Sequence, residues 1–510
     1  MAKIVFKEEN SNQLMLLPPD IGSLIPDRHI VRVVDKVINQ LQLSPLFDTY
    51  KGGGTSSYSP RMMLKVITYS YIEKIYTTRR IEKALKENVN FMWISGMSTP
   101  DHGTIHNFRA KRLKEAVEDV FSSVVKVMIE SGYVKAENLF VDGTKIEANA
   151  NRYSYVWKKN VERHENMTRE RVKTLLSHIE ELQNEEDAQY GTHNLEELEG
   201  DITADQITKV VDDINKKLSE RRKSKITSEV NKLKKEYVPK LKKYEDQKDM
   251  LSGRNSCSKT DKDATFFRMK EDHLGMSQLK PAYNVQIATE DQFILGYGLY
   301  QKAADTSVFI PFMDRVSTQI KRVPKNITTD AGYGSEENYD YIESNKIGNY
   351  VKYNNFHYEK GKDHKRRIFL SDHFEYDKKR DQYKCPAGQI LDFMGTKETK
   401  SESGYKSNKR VYKSRCCDEC HHKEKCCKGK YDRRIEISPK LIKYKDIVRE
   451  NLESETGKIL RSKRGVDVES VFGQIKHNNQ FRRFYTRGLK NVSTEWGIIS
   501  IAHNIKKMAN

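Results

Sequence analysis

The stretch NLFVDGTKIEANAN, residues 138–151, decides the fold class. Its first four residues, 138–141, form a short apolar run that predicts a buried strand, and Asp142 follows at the carboxyl end of that run. A second short run, 326–329, predicts another strand and is followed directly by Asp330. The sequence therefore predicts two strands that each end in a carboxylate.

Further elements are predicted around these two runs. Residues 283–288 and 293–299, separated by a polar TEDQ, have the pattern of a β-hairpin. Helices are predicted over 307–316 and 336–344, and a strand near 350–353. The resulting β-β-β-α-β-α-β order predicts an α/β core.

The region before this core, residues 27–132, is predicted to be all helical. Ser59-Pro60 is typical of a capped helix start. Several short helices ending in the polar, arginine-bearing HGTIHNFRAKRL resemble a helix-turn-helix-like DNA-binding bundle. The alternative is an ordinary helical bundle. If the bundle binds DNA, the exposed candidates for contact are His106, Asn107, Arg109 and Lys111.

Two insertions interrupt the predicted core. Residues 155–252 consist almost entirely of helix formers in mixed charge, which predicts a helical hairpin or arm with a spacer role and a contribution to dimer contacts. Residues 355–440 are basic and carry six of the seven cysteines.

Composition limits the function classes. The chain has 510 residues, with 91 Lys and Arg against 72 Asp and Glu, and its formal charge of +19 favours a polyanionic partner such as nucleic acid. The excess is concentrated in the last third, where phosphate contacts are expected. No apolar run is long enough for a transmembrane helix, and the first residues lack the layout of a signal peptide. We therefore expect a soluble, cytosolic protein with no membrane partner.

A third acid, Glu469, completes a candidate catalytic set. Phosphodiester chemistry without a covalent enzyme intermediate can use two divalent ions, which activate the attacking oxygen and stabilise the leaving oxygen. About three carboxylates from different elements suit Mg²⁺. Lys476 lies seven residues after Glu469, which on an α-helix gives both residues one face, so Lys476 is predicted to reach a DNA phosphate.

Downstream of this helix, the run FRRFYTR interleaves cations and aromatic rings. Arg482, Arg483 and Arg487 are predicted there as a nucleic-acid-binding surface.

The clustered cysteines suggest a structural zinc site. Disulfides are disfavoured in the cytosol, and Cys385, Cys417, Cys420 and Cys426 could supply four thiolates for a tetrahedral Zn²⁺. His421 and His422 are alternative ligands. The other interpretation is a set of reduced thiols in a basic loop.

Several blocks resemble those of bacterial insertion-sequence DDE transposases with an InsH-like N-terminal domain, in the IS4-like superfamily. The most specific are VDGTKIEANAN and VESVFGQIKHNNQFRRFYTRGL. PDHGTIHNFR, YNVQIATE and TTDAGYG resemble family blocks in the same order. The resemblance implies an RNase H-like catalytic core with a mixed sheet and the acidic triad Asp142, Asp330 and Glu469. It also implies Mg²⁺ or Mn²⁺ as cofactor, double-stranded DNA as substrate and a homodimer that pairs two element ends.

The domain boundaries combine these expectations. A helical DNA-binding domain is predicted over 1–132 and the catalytic core over 133–154, 253–354 and 441–510. The helical insertion takes 155–252, and the basic cysteine-rich insertion takes 355–440.

The chain departs from the family pattern around the third acid. Related transposases often carry a Tyr-Arg-Glu-Lys signature. Here Glu469 and Lys476 keep their spacing, but four residues rather than three separate Arg464 from Glu469, and no tyrosine precedes Arg464. Arg464 is still predicted to position DNA, whereas use of a hairpin intermediate stays open.

Two other functions compete with a transposase. One is a DNA-binding protein that kept the fold and lost activity, against which the complete triad argues. The other is an RNase H-like nuclease or resolvase without strand transfer, which would have less use for a separate end-binding bundle.

Overall fold

The computed structural model describes residues 20–50, 57–190, 203–218, 225–269, 277–356, 359, 368–418, 420–427 and 431–509. Helices and a mixed sheet alternate within these ranges, which confirms the α/β class. The first 19 residues, on which the expectation about a signal peptide rests, lie outside them. In the described part of the chain, no helix is both long and apolar enough to cross a membrane.

Helices fill the described part of the N-terminal region, as its apolar spacing predicts. Pro60 is the first residue of its helix, although the Ser59 side chain makes no capping hydrogen bond. Asp101 does cap the arginine-bearing helix, because its Oδ1 accepts the backbone N–H of Thr104 at 2.6 Å. The helices are α1 (Ile30–Gln40), α2 (Ser44–Phe47), α3 (Pro60–Ile72), α4 (Thr78–Glu87), α5 (Val89–Ile94), α6 (His102–Asn107) and, after a π-helical turn Phe108–Leu113, α7 (Lys114–Glu130).

The central sheet has six strands, and β1 and β5 lie at its middle. The strands up to residue 351 are β1 (Asn138–Glu147), β2 (Tyr155–Trp157), β3 (Ser256–Ser258), β4 (Thr265–Arg268), β5 (Leu279–Glu290), β6 (Phe293–Tyr300), β7 (Asn326–Thr329) and β8 (Gly348–Val351). β1 pairs antiparallel with β5 and parallel with β7, and β7 pairs parallel with β8. β4 and β6 both pair antiparallel with β5, while β2 and β3 form a separate two-stranded sheet.

Glu290, at the end of β5, fixes the start of β1. Its two carboxylate oxygens accept the backbone N–H groups of residues 135–138 at distances from 2.5 to 2.9 Å. A carboxylate that accepts several backbone N–H groups satisfies donors that would otherwise be buried without a partner. The register of β1, and with it the position of Asp142, is therefore held from its first residue.

The first insertion is helical, as its composition predicts. It contains α8 (Lys158–Tyr190), α9 (Ala204–Leu218), α10 (Lys225–Lys232) and, after a π-helical turn Leu233–Tyr237, α11 (Val238–Leu251). These helices pack around a hydrophobic core of their own, which includes Val172, Ile207 and Leu233. The insertion is therefore a packed helical unit, and a role in dimer contact stays a prediction.

The predicted elements on either side of β7 are present. The β5–β6 hairpin is confirmed, as is the helix over 336–344. The other helix begins two residues later than predicted and runs four residues further. These two helices are α12 (Phe309–Ile320) and α13 (Glu336–Ser344).

The cysteine-rich insertion contains an antiparallel sheet of five strands, in the order β13-β12-β11-β10-β9. Its elements are β9 (Glu375–Asp377), β10 (Gln382–Lys384), β11 (Ile390–Lys400), β12 (Lys406–Ser414), the short α14 (Lys423–Cys426) and β13 (Arg434–Ile437). The β11–β12 hairpin lies against α13, where Ser401 and Ser403 donate hydrogen bonds to Glu337, and Tyr405 and Ser407 donate to Glu336.

The C-terminal segment returns to the central sheet. Its elements are α15 (Pro439–Glu453), α16 (Glu455–Arg464), a π-helical turn Gly465–Glu469, α17 (Ser470–Gly473), a second π-helical turn Gln474–Asn478 and α18 (Leu489–Met508). α18 packs against α3, α7 and β6 and is buried from Trp496 to Ile505. One hydrophobic core therefore runs from Ile25 in the N-terminal region to Ile505 near the C-terminus.

Candidate active site

The pairing of β1 with β7 aligns two of the predicted acids. The parallel register joins Asn138 to Asn326 and Phe140 to Thr328. Continued by two residues, this register sets Asp142 opposite Asp330. Neighbouring strands lie ~4.8 Å apart, and aligned residues of parallel strands direct their side chains to the same face. The two carboxylates therefore start from adjacent positions on one face of the sheet.

The position of Asp142 differs from the prediction in one respect. Asp142 lies inside β1 rather than at its end, because β1 continues to Glu147 through its antiparallel pairing with β5. The pairing with β7 stops at Phe140, so Asp142 does lie just past the end of that ladder. The strand was predicted too short because an apolar run in the sequence marks only the part of a strand that is covered on both faces. The rest of β1 is mostly half-buried and has no such run.

The surroundings of Asp142 disfavour its charge. Burial raises the pKa of Asp142 to about 6, the Arg464 guanidinium opposes this rise, and the nearby carboxylates of Asp330 and Glu469 add to it. Asp142 Oδ1 accepts the backbone N–H of Gly143 at 2.8 Å, and Asp330 Oδ1 accepts that of Gly332 at 2.9 Å. Three carboxylates that influence one another in this way need positive charge nearby.

Glu469 reaches the site from the C-terminal helical segment. The π-helical turn Gly465–Glu469 packs on β1 and β5. Asp467 anchors this turn, because its buried Oδ1 accepts hydrogen bonds from Thr289 Oγ1 at 2.6 Å and from the Gln292 N–H at 3.1 Å. Glu469, two residues later, has a side chain that is 56% exposed. Of the two acids in this turn, Asp467 is structural and Glu469 is available to a ligand.

Arg464 joins the first and third predicted acids. Its Nη2 lies 2.7 Å from Glu469 Oε1, and its Nη1 lies 3.5 Å from Asp142 Oδ2. The Arg464 side chain is only 14% exposed, so this guanidinium is held between the carboxylates. It supplies the positive charge that the cluster of acids requires.

Lys352 is a further cation at this site that the sequence analysis did not single out. It follows β8, the neighbour of β7, and its pKa is lowered by burial and by the charges of Arg464 and Arg461, while Asp330 and Glu469 oppose the shift. A signal did exist in the sequence. Lys352 follows β8 in the same way that Asp330 follows β7, but the strand predicted near 350–353 included it.

A buried polar network supports the two aligned acids from behind. Tyr333, three residues after Asp330, donates its hydroxyl hydrogen to Gln286 Oε1. Gln286 Nε2 in turn donates to Asn284 Oδ1 and to Asp305 Oδ1, both at 3.0 Å. Position 143 must be glycine here, since an added Cβ would lie 2.1 Å from Gln286 Nε2. The network ties the segment after Asp330 to β5 and β1.

The donor chemistry of the three acids fits a hard divalent cation such as Mg²⁺. Within the described residues, no three His, Cys, Asp or Glu side chains converge as tightly as the ligands of an ion do. The ion pair with Arg464 gives the physical reason, because it draws Glu469 toward the guanidinium. The three acids therefore fit a divalent cation by their donor chemistry and by their location in the fold.

Lys476 does not share an exposed face with Glu469. Lys476 is only 8% exposed, whereas Glu469 is exposed to solvent. The expectation of a common face assumed a regular α-helix between the two residues. After α17, the π-helical turn Gln474–Asn478, which contains Lys476, interrupts that helix, adds a residue to the turn and rotates the face that follows.

The N-terminal DNA-binding candidates divide into two groups. His106, Asn107 and Lys111 are exposed, as predicted. The expectation that Arg109 is exposed is wrong, because it is 7% exposed and donates to the Tyr71 hydroxyl and the Tyr76 carbonyl at 3.1 and 3.2 Å. The π-helical turn Phe108–Leu113 directs it inward.

The arginines of FRRFYTR have different surroundings. Arg483 donates to the backbone carbonyls of Ala148 and Ala150 and so holds the loop after β1. Arg487 donates through Nε to the Asn149 carbonyl at 2.8 Å, and most of its side chain is exposed. Arg482 is exposed and lies beside His477, with 3.4 Å between Arg482 Nη2 and His477 Nδ1.

The four predicted zinc ligands line a single small cavity in the cysteine-rich insertion. Cys427 and His422 line it as well, whereas His421 does not. Burial raises the pKa of Cys426, and the thiols of Cys385, Cys427 and Cys417 lie close enough to add to this rise. The cavity lining consists of Phe369, Cys385, Ala387, Gln389, Leu391, Ser414, Cys417, Cys420, His422, Lys423, Cys426, Cys427 and Arg433. The donor set suits zinc by its chemistry.

Two family models of transposase domains match parts of the chain. Residues 384–509 match a Transposase DDE domain, and residues 19–111 match a Transposase domain (DUF772). No curated protein and no solved structure matches the chain.

The matched ranges contain some of the residues described above. The first includes Glu469 and the clustered cysteines, and the second includes His106 and Lys111. Asp142 and Asp330 lie between the two matched ranges, and their alignment rests on the β1–β7 register extended by two residues. Both matched ranges are thus similar to domains of transposases.

Proposed function

We propose that the chain is a DDE transposase that cleaves DNA at the terminal inverted repeats of its element and joins the freed 3′-hydroxyl ends to target DNA. The observation that carries this proposal is that the three acids lie in one part of the structure, two of them in contact with Arg464, although their side chains do not converge on one point. Asp142 and Asp330 are aligned by the β1–β7 register, and Arg464 links Asp142 to Glu469. The two transposase-domain matches support the same reaction class.

The core belongs to the RNase H-like class in this proposal. The strand arrangement supports it: β6, β5 and β1 are antiparallel neighbours, and β7 and β8 continue on the other side of β1, parallel to it. The IS4-like assignment and the domain boundaries stay predictions from the sequence.

Asp142, Asp330 and Glu469 would hold two divalent ions, Mg²⁺ or Mn²⁺. Such ions, when bound, supply charge stabilisation to the attacking and leaving oxygens of an in-line displacement. Arg464 would then release Glu469 and remain beside Asp142, where its charge favours a DNA phosphate. Lys352, at the end of β8, would add a second cation on the same edge of the sheet.

Double-stranded DNA would run from this edge across the basic surface of the C-terminal segment. Of the predicted contacts, His106, Asn107, Lys111, Arg482, Arg483 and Arg487 have the exposure that a direct contact needs. A homodimer that pairs two element ends is part of the proposal, and the helical insertion is its candidate for the dimer contact.

The cysteine cavity would hold a structural Zn²⁺. Cys385, Cys417, Cys420 and Cys426 form the proposed ligand set, since all four line one cavity. A site with four thiolates is closed and does not catalyse. Zinc content measured on the purified protein, and on a Cys417→Ser variant, tests this assignment independently of any activity.

The deciding experiment is a cleavage and strand-transfer assay on DNA that carries the element's own ends. The wild-type protein is compared with Glu469→Gln in Mg²⁺ and in Mn²⁺. Glu455→Gln serves as the matched control, because Glu455 is an exposed acid at the start of α16 that pairs with Lys458. We expect metal-dependent joining for the wild type and the control, and none for Glu469→Gln.

Each other outcome of this assay overturns the proposal in a different way. Cleavage without joining would identify a nuclease or resolvase with the same acids. Specific binding to the ends with neither reaction would identify a DNA-binding protein that has lost activity. Equal activity of Glu469→Gln and the wild type would remove Glu469 from the catalytic set.

A further inference from the structure

A second polar pocket lies at the far end of β1 from the acids. The loop after β1, the segment 485–487, the start of α18 and the end of α6 form an open pocket of about 320 Å³. We call it the distal pocket. Its lining residues are His106, Arg109, Ala110, Asn149, Tyr485, Thr486, Arg487 and Asn491.

The backbone of the distal pocket is held by its own side chains. Asn149 Nδ2 donates to the Tyr485 carbonyl at 2.9 Å, and Asn491 Nδ2 donates to the Arg487 carbonyl at 2.9 Å. Arg487 Nε donates to the Asn149 carbonyl. Both asparagine side chains therefore hold the backbone around the pocket through one Nδ2 hydrogen bond each.

The charge of the distal pocket is positive. All eight lining residues are described, and none of them is acidic. The charge of Arg109 is balanced by the buried carboxylate of Glu495 behind the pocket, whereas Arg487 and His106 are exposed to solvent. An exposed guanidinium with free Nη groups, beside an imidazole, is the chemistry that binds a phosphate.

β1 sets the distance between this pocket and the acids. Asp142 and Asn149 lie on one continuous segment. The five residue steps from Asp142 to Glu147 within β1 rise about 17 Å, and seven fully extended residues, as far as Asn149, span at most ~24 Å. Successive phosphates of one DNA strand advance by about 3.4 Å along the axis. A straight duplex over the acids would therefore reach the distal pocket about five to seven base pairs from the reacting phosphate.

We infer that the distal pocket binds a backbone phosphate of the same duplex, five to seven base pairs from the reacting phosphate, through Arg487 and His106. This inference rests on the proposed function, because it takes DNA cleavage at Asp142 and Asp330 as its origin. In this inference the N-terminal helices, through His106, and the C-terminal segment, through Arg487, bind the same phosphate.

The test uses element-end duplexes in which one phosphate at a time is replaced by a neutral methylphosphonate. Binding is measured with the Glu469→Gln protein, so that no DNA is consumed. We expect an affinity loss of about tenfold when the replaced phosphate lies five to seven base pairs from the cleavage site. Arg487→Ala should remove this sensitivity and lower the salt slope of binding by about 0.9.

Two further variants keep the inference falsifiable. Arg487→Ala also loses the hydrogen bond to the Asn149 carbonyl, which could change the shape of the pocket. His106→Gln alters no backbone contact of the pocket and is therefore measured in parallel. It should also weaken the sensitivity to phosphate replacement. Lys126→Ala, an exposed cation on α7 that pairs with Glu130, should leave it unchanged. Uniform sensitivity along the duplex, or sensitivity that survives in both pocket variants, overturns the inference.

The failure of this inference differs from a failure of the proposed function. Sensitivity at five to seven base pairs without cleavage or joining by the wild-type protein would keep the distal pocket and reject the transposase. Cleavage and joining with no sensitivity there would keep the transposase and reject the pocket.

Discussion

The sequence predicts that Arg109 contacts DNA, but the residue is buried and has a structural role. Its guanidinium meets the hydroxyl of Tyr71, which in turn donates to Glu495 Oε1 at 3.2 Å. Glu495 is fully buried, and burial raises its pKa, while Arg109 opposes that rise. A buried carboxylate with one cationic partner depends on that partner for its charge. Arg109 therefore stabilises the junction of α3 and α18.

We expect Arg109→Ala to lower the free energy of unfolding by about 3–5 kcal/mol, because Glu495 would remain as a buried charge without its partner. Urea unfolding measures this change. The double variant Arg109→Met with Glu495→Gln should regain most of the loss, and Arg80→Ala, an exposed arginine on α4, should change stability little. Unchanged stability with weakened DNA binding would return Arg109 to the role that the sequence suggests.

The protonation of a single side chain, His503, makes the free energy of unfolding depend on pH. Its Nε2–H donates to the Gln292 carbonyl at 2.9 Å, and burial lowers its pKa to about 4 from the ordinary histidine value of about 6.5. Between these two values the unfolded chain binds a proton that the folded chain does not, so the stability contributed by neutral His503 is lost as the pH falls. We expect the wild-type free energy of unfolding to decrease more steeply than that of His503→Gln from about pH 6.5 to pH 4.

Urea titrations at several pH values measure this difference. His106→Gln is the control, because its ring is exposed. If the free energies of unfolding of the wild type and His503→Gln changed equally with pH, His503 would have the same pKa in the folded and the unfolded chain, and the prediction would be wrong.

At the scale of elements, the β11–β12 hairpin holds the cysteine-rich sheet onto α13. Glu336 accepts hydrogen bonds from Tyr405 and Ser407, in the β11–β12 hairpin, and from Ser438, which follows β13. Ser438 also begins α15 by capping Leu441 N–H. One carboxylate at the start of α13 thus joins the sheet and the next helix.

We expect Glu336→Ala to loosen this attachment without unfolding the core, with a cost of about 1–3 kcal/mol from the hydroxyl groups left unpaired. Hydrogen exchange should accelerate in β11 and β12 and stay unchanged in β1 and β5. Glu343→Ala, on the same helix near its C-terminal end, is the matched control. Equal acceleration in β1 would mean that the sheet and the core open together.

The elements also show what the sequence could and could not predict. The β5–β6 hairpin, α13 and β7 are specified by local periodicity and turn residues, and all three were predicted. The π-helical turn Gln474–Asn478 has no signature in composition, so the burial of Lys476 was missed. The alignment of Asp142 with Asp330 was expected from their strand ends, whereas the position of Arg464 between Asp142 and Glu469 depends on tertiary packing.

At the scale of the whole molecule, α18 is shared by the N-terminal helices and the central sheet. Trp496 is fully buried in it and lies near Phe481 and Phe484, with ring centroids 6.4 and 6.3 Å away. α3 and α7 pack on this helix together with β6. The N-terminal helices and the sheet therefore share one hydrophobic core.

We expect Trp496→Ala to lower the stability of both parts by the same amount, about 3–5 kcal/mol. Hydrogen exchange of the slowest amides in α3 and in β6 measures the two parts separately within one protein. Trp157→Ala, in the separate β2–β3 sheet, should leave both unchanged. Loss of protection in β6 alone would mean that the N-terminal helices fold on their own.

The central position of α18 has a consequence for how such a gene can change. Codons that lie far apart in the gene specify side chains that must fit against one another. A crossover between two related copies would combine the helices before β1 from one with α18 from the other, and the two surfaces would not match. These two regions of the gene should therefore be inherited as a pair, while exchange is tolerated in the helical insertion, whose core is its own.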